Sequence, residues 1–151
     1  SKKKKNNGTT QLDNYRTAGK MQGEGKADEA AWKTAQVARD FQMVLPMDTR
    51  LARGKTEVSM TYDKKNLYVL ATCYTALPGP AMVESLRRDF NFLNNDNFIV
   101  FIDHFDDQTN GFAFGTNAAG AQWDGLMYQG GSGDLTWDNK WISPVTNYSD
   151  R

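Results

Sequence analysis

Cysteine and histidine are almost missing from this 151-residue chain, which holds one of each, Cys73 and His104. A lone cysteine excludes an intramolecular disulfide framework and a multi-cysteine metal site. A lone histidine excludes any site built on several imidazoles. Excess charge of either sign is also missing: eighteen Lys and Arg balance eighteen Asp and Glu. No global field therefore draws a phosphate backbone, and nucleic acid is not an expected partner. The longest apolar run, residues 98–102, is five residues long, far below the roughly 20 that cross a bilayer as a helix. No charged segment followed by an apolar stretch opens the chain, which reads as cytosolic or already processed. The phosphate-binding G-x-x-x-x-G-K-[ST], the zinc-binding H-E-x-x-H and the nucleophile-bearing G-x-S-x-G patterns are all absent. The expected protein is not an enzyme, and converging carboxylates for glycoside hydrolysis are the one catalytic reading left.

What is present is enough apolar material, 39% of residues, for one core without staples. Residues 1–19, with Lys2, Lys3, Lys4 and Lys5 followed by Asn, Gly and Thr, read as a flexible leader, and residues 20–151 as the globular domain. Strand signals dominate it. Residues 55–63 alternate with Val58, Met60 and Tyr62 on one face and Glu57, Ser59 and Thr61 on the other. A polar connection at 63–66 leads into residues 67–74, which predicts a hairpin, with Cys73 as a small core residue. The run 98–102 is apolar on both faces and predicts a central strand. In residues 111–120, Phe112, Phe114 and Thr116 share one face and Gly111, Ala113 and Gly115 the other, a small-residue face that lets something approach closely. Residues 122–128 and 140–147 are further strand candidates. Helix is scarce, with short candidates at 27–35 and 80–90. The pattern predicts an all-β, antiparallel β-sandwich, immunoglobulin-like or jelly-roll-like, with one or two short helices.

A pyranose offers apolar C–H faces ringed by hydroxyls, so a sugar site needs an aromatic platform beside planar hydrogen-bonding groups. Trp32, Trp137 and Trp141 read as core anchors. Trp123, between Gln122 and Asp124 and upstream of Tyr128 and a glycine-rich loop, is the candidate platform, expected to be partly exposed. Arg88 and Asp89 supply either a salt bridge that pins a loop or direct contacts to a ligand. Asp103, Asp106 and Asp107 fit either an ordinary turn or a hard-oxygen site for Ca2+. His104 reads as a surface turn histidine.

Six segments in order carry a resemblance: GEGKADEAAW (23–32), TEVSMTYDKKNLYV (56–69), RRD (87–89), NDNFIVFIDHFDD (95–107), GFAFGTNAAGAQWDGL (111–126) and WDNKW (137–141). Together they resemble a family 9 carbohydrate-binding module, in the version found at the N-terminus of large outer-membrane β-barrel proteins of Bacteroidota-type bacteria. The chain departs from that pattern in having Glu24-Gly25 where the family opens with Asp-Gly. It also stops after the WDNKW block, so the resemblance implies that the last strand is lacking and that the edge at 141–147 is without its partner. The resemblance further implies a domain without catalytic activity that binds an oligosaccharide or polysaccharide, at the outer membrane on its periplasmic or extracellular face. No cofactor is required, and a structural calcium ion is compatible. The alternative it implies is a structural domain that docks on an outer-membrane β-barrel without binding sugar.

Overall fold

The computed structural model describes Leu12, Asn14, Arg16, Thr17, Met21 and residues 30–43, 50–76, 79–129 and 132–151. Most of the expected leader, the start of the first helical segment and Gly130 and Gly131 of the glycine-rich loop lie outside the described residues. Among those described, helix is limited to α1 (Ala30–Thr34) and one 3-10 turn, Phe92–Asn94. The rest is strand and loop, in two antiparallel sheets, so the expected all-β class is borne out.

The first compact unit comprises residues 1–78 with 148–151. Its sheet runs in the order β1 (Val37–Ala38), β2 (Thr56–Tyr62), β3 (Leu67–Cys73). The β2–β3 hairpin forms where the alternation predicts it, and Asp63 closes the turn by accepting the N–H groups of Lys65 at 2.7 Å and Asn66 at 2.8 Å. This is the local hydrogen bonding that makes Asp a turn residue. Two expectations are corrected. Ser59 and Thr61, on the nominally polar face of β2, are buried, which small hydroxyl side chains tolerate when hydrogen-bonded. Cys73 is exposed rather than in the core, since it sits at the last rung of the ladder opposite Thr56. Within the expected leader, Arg16 bridges to Tyr62 and the Thr17 N–H donates to the Tyr62 carbonyl at 2.9 Å.

The second unit, residues 79–147, is a meander of β4 (Asn97–Ile102), β5 (Gly111–Asn117), β6 (Gln122–Tyr128) and β7 (Ser132–Asp134), paired in sequence order. That order overturns the expectation for 98–102: among the described residues consecutive hairpins leave β4, the first strand, at an edge, and Phe101 is 61% exposed. The middle of the sheet goes to the glycine- and alanine-containing β5. Residues 80–90 are not a helix. Their backbone is held by side chains instead: Asn95 Oδ1 accepts from Glu84 N at 2.8 Å and Ser85 N at 3.2 Å, and Asp96 Oδ2 from Met82 N at 2.7 Å. Asn117 Nδ2 donates to the Ser85 carbonyl at 2.7 Å. Asn95 and Asn117 are buried, so their carboxamides satisfy backbone groups that a helix would have paired internally. Residues 140–147 form no strand either. They are tied to the sheet by side chains, with Gln122 Nε2 donating to the Trp141 carbonyl and Ser143 Oγ, and Asn147 Nδ2 to the Ala118 carbonyl.

Candidate functional site

Strand parity sorts the residues of the second unit onto two faces. Residues directly opposite in an antiparallel ladder share a face, and the pairs are Gly115 with Trp123, Ala113 with Gly125, Thr116 with Gln122, Phe114 with Asp124 and Phe112 with Leu126. Trp123 therefore belongs to the small-residue face. It is 7% exposed, in a core with Phe90, Ala113 and Ala121 and with Ile99 and Met127 packed against it. Phe92 meets its ring edge-on at 6.4 Å. The expected exposure of Trp123 is thus corrected, and with it the platform assigned to that side chain. The groups that approach Gly115 are the protein's own, the Ile99 side chain and the Phe98 carbonyl, with the Trp123 indole on the same face.

The opposite face carries the aromatic row. Phe112 and Trp137 stack with ring centroids 4.8 Å apart and planes 25° apart. Phe114 meets Trp137 edge-on at 5.9 Å and Trp141 at 5.4 Å. His104, exposed in its turn, stacks on Phe112 at 4.7 Å and lies 3.7 Å from Phe105, which is 69% exposed. The Trp141 indole N–H is buried with no acceptor among the described residues. Like Trp32, the third tryptophan expected as a core anchor, Trp137 and Trp141 are each only partly buried. The signal that could have placed them was the alternation in β5: with Trp123 needed to fill the glycine face, Phe112 and Phe114 require other partners.

Arg88 joins this row to the sheet. Its Nη2 pairs with Asp124 Oδ1, its Nη1 donates to Gln122 Oε1 at 3.0 Å, and its Nε donates to Asp138 Oδ1 at 2.8 Å. A weaker contact runs from Nη2 to the Asn139 carbonyl at 3.4 Å. Of the five guanidinium N–H groups, one on Nη1 is left without a partner among the described residues. Asp124 is fully buried and its second oxygen accepts the Asn139 N–H at 2.8 Å, whereas Asp138 is largely exposed. Three residues that the sequence could not assemble, Gln122, Asp124 and Asp138, are thus brought around Arg88, and Asp138 is the chain neighbour of Trp137.

Asp89 is not the partner of Arg88. It takes a left-handed backbone conformation, φ 57°, and its N–H donates to the Gln122 carbonyl at 2.9 Å. Its carboxylate accepts the Asp124 N–H; desolvation raises its pKa, opposed by that bond and by Arg88. Asp89 so covers the part of the β6 edge that β7, paired only with residues 126–128, does not reach. Tyr128, at the far end of β6, shares the face of Phe112 by parity, lies opposite Ser132 and is 38% exposed.

Asp103 and Asp107 spend their carboxylates on the turn. Asp103 accepts the N–H groups of Phe105 at 3.2 Å, Asp107 at 3.3 Å and Gln108 at 2.8 Å. Asp107 accepts from the Asn110 side chain and from the N–H groups of Thr109 and Asn110, all at 2.8 Å, which holds its carboxyl well below the usual range. Asp106 is exposed with φ 55°. Among the described residues no three His, Cys, Asp or Glu side chains converge as a metal-holding group. Comparison of the chain with family models, with curated proteins and with solved structures gave no match.

Proposed function

We propose that this chain is a non-catalytic carbohydrate-binding domain of a cell-envelope protein that captures polysaccharide, and that its sugar platform is Trp137 rather than Trp123. The observation that carries this reading is a partly exposed Trp137, stacked on Phe112, whose chain neighbour Asp138 pairs with Arg88. An aromatic ring, a fixed guanidinium and an exposed carboxylate are the C–H stacking surface, the donor and the acceptor that a pyranose requires. The six ordered segments resembling a family 9 carbohydrate-binding module point the same way and supply the outer-membrane location. Calcium is secondary in this reading, because Asp103 and Asp107 already serve their own turn.

A second reading, docking on an outer-membrane β-barrel, is favoured by the apolar side chains that residues 82–93 leave in solvent, Met82, Leu86, Phe92 and Leu93. The two are separated by electrophoresis of the 151-residue chain through gels containing soluble polysaccharides. Retardation by at least one polysaccharide, lost in Trp137→Ala with the β-sheet circular dichroism intact, supports sugar binding. A well-folded chain that no polysaccharide or arrayed glycan retards favours docking.

A further inference from the structure

β4 breaks the rule by which sheets protect their edges. Natural edge strands carry lysine, proline, a bulge or an inward charge that discourages further pairing. Asn97–Ile102 carries none of these, and its sequence NFIVFI is uncharged and apolar on both faces. β7, at the other end of the same sheet, is only three residues long and contains Gly133 and Asp134.

The register identifies the groups that face outward. The Asn117 N–H donates to the Ala121 carbonyl across the β5–β6 turn, so Asn117 points its backbone away from β4 and Thr116 points toward it. By alternation, Phe98, Val100 and Ile102 bond to β5, while Asn97, Ile99 and Phe101 present their N–H and C=O groups at the open edge. No strand pairs with that edge among the described residues.

We infer that this edge pairs antiparallel with the β4 edge of a second copy of the chain, about a two-fold axis through Val100. The segment is self-complementary in that register. Ile99 and Phe101 of one copy fall opposite Phe101 and Ile99 of the other as the hydrogen-bonded rungs, using the outward backbone groups. On the other face Phe98 falls opposite Ile102, with Val100 opposite itself. Every rung from 98 to 102 is then aromatic against β-branched or β-branched against β-branched, the pairings that stabilise sheets most. No charge is buried, the exposed Phe101 ring is covered, and the contact is the isologous kind that closes as a dimer. The inference is independent of sugar binding.

The register sets the test. Val100 positions across the axis form a non-hydrogen-bonded pair with Cα atoms about 4.5 Å apart, within disulfide reach. Two Phe98 positions are offset by four residues, about 13 Å, and lie outside it. In the full chain with Cys73→Ser, Val100→Cys is expected to form a disulfide-linked dimer on mild oxidation and Phe98→Cys is not. Sedimentation equilibrium is expected to give a dimeric mass for the unsubstituted chain. Phe101→Lys and Phe101→Pro, which put a charge on the edge or remove one outward N–H without touching the β5 bonds, are expected to halve it. A monomer from micromolar to millimolar concentration would overturn the inference. So would a dimer indifferent to both Phe101 changes, or cross-linking as ready through position 98 as through position 100.

Discussion

Trp123 stands directly opposite Gly115 in the β5–β6 ladder, and the missing Cβ at Gly115 lets Ile99 close over the same face beside the indole. A Cβ there would lie 2.8 Å from Ile99 Cγ1 and 3.4 Å from the Phe98 carbonyl oxygen. Gly115→Ala is therefore expected to destabilise the fold by about 1–3 kcal/mol through overpacking, read as a lower urea midpoint with an unchanged slope. A neutral substitution would mean that Ile99 yields freely.

Arg88 compensates a carboxylate that water cannot reach. Removing it leaves Asp124, 0% exposed, with the Asn139 N–H as its remaining hydrogen-bond donor among the described residues. Arg88→Ala is expected to cost about 3–5 kcal/mol, the usual penalty for stranding one half of a buried pair. Arg88→Lys is expected to recover little, because one ammonium cannot reach Gln122, Asp124 and Asp138 as the planar fork does. Asp124→Asn, which removes the buried charge, is expected to be milder than Arg88→Ala in equilibrium unfolding.

Asn117 is almost fully buried and serves three backbone groups, donating to the Ser85 carbonyl and accepting from Ala119 N at 3.1 Å and Ala121 N at 2.9 Å. Asn117→Asp keeps the acceptor but loses the donor, leaving the Ser85 carbonyl facing a buried carboxylate. The expected loss is about 1–3 kcal/mol at neutral pH. Because protonation restores a donor, the deficit is expected to shrink as pH falls, which thermal melts across the acidic range would detect.

Acid sensitivity has a defined sign. Lys55, with Arg39 and Tyr74, holds the Glu57 carboxyl below its ordinary range; the Lys65 and Asn66 N–H groups do so for Asp63, the Thr136 hydroxyl and N–H for Asp134, and Asn110 with Thr109 for Asp107. For each, the unfolded chain takes up a proton at a higher pH than the folded one. The stabilisation is present above the unfolded value and is lost as pH falls through the carboxylate range toward the folded one. Asp89, whose pKa is raised, contributes in the opposite direction, favouring the fold below its unfolded value and less as pH rises through the raised one. Melting temperature is expected to fall on acidification, and less steeply in Asp107→Asn, which keeps the turn acceptor without titrating. An unchanged acid slope in that variant would contradict the assignment.

The β2–β3 hairpin and strands β5 and β6 were legible because alternation and turn chemistry are local. The position of β4 was not: an apolar run states that both faces want cover, not which neighbour arrives, and consecutive hairpins placed it at an edge. Residues 80–90 have no period of their own, because Asn95, Asp96 and Asn117 hold them from a distance in sequence. Trp123 was misjudged for a related reason. Its flanking Gln122 and Asp124 suggested a polar setting, yet in a strand immediate neighbours point to the opposite face, and register against Gly115 decides the matter.

The assignment of the platform to Trp137 is tested most directly by following the four indole N–H signals in a two-dimensional NMR spectrum of the 15N-labelled chain during titration with soluble polysaccharides. A saturable shift of the Trp137 signal, with the buried Trp123 signal stationary and with loss of binding in Trp137→Ala, is the predicted result. A glycan that binds and moves Trp123 while leaving Trp137 untouched would contradict it.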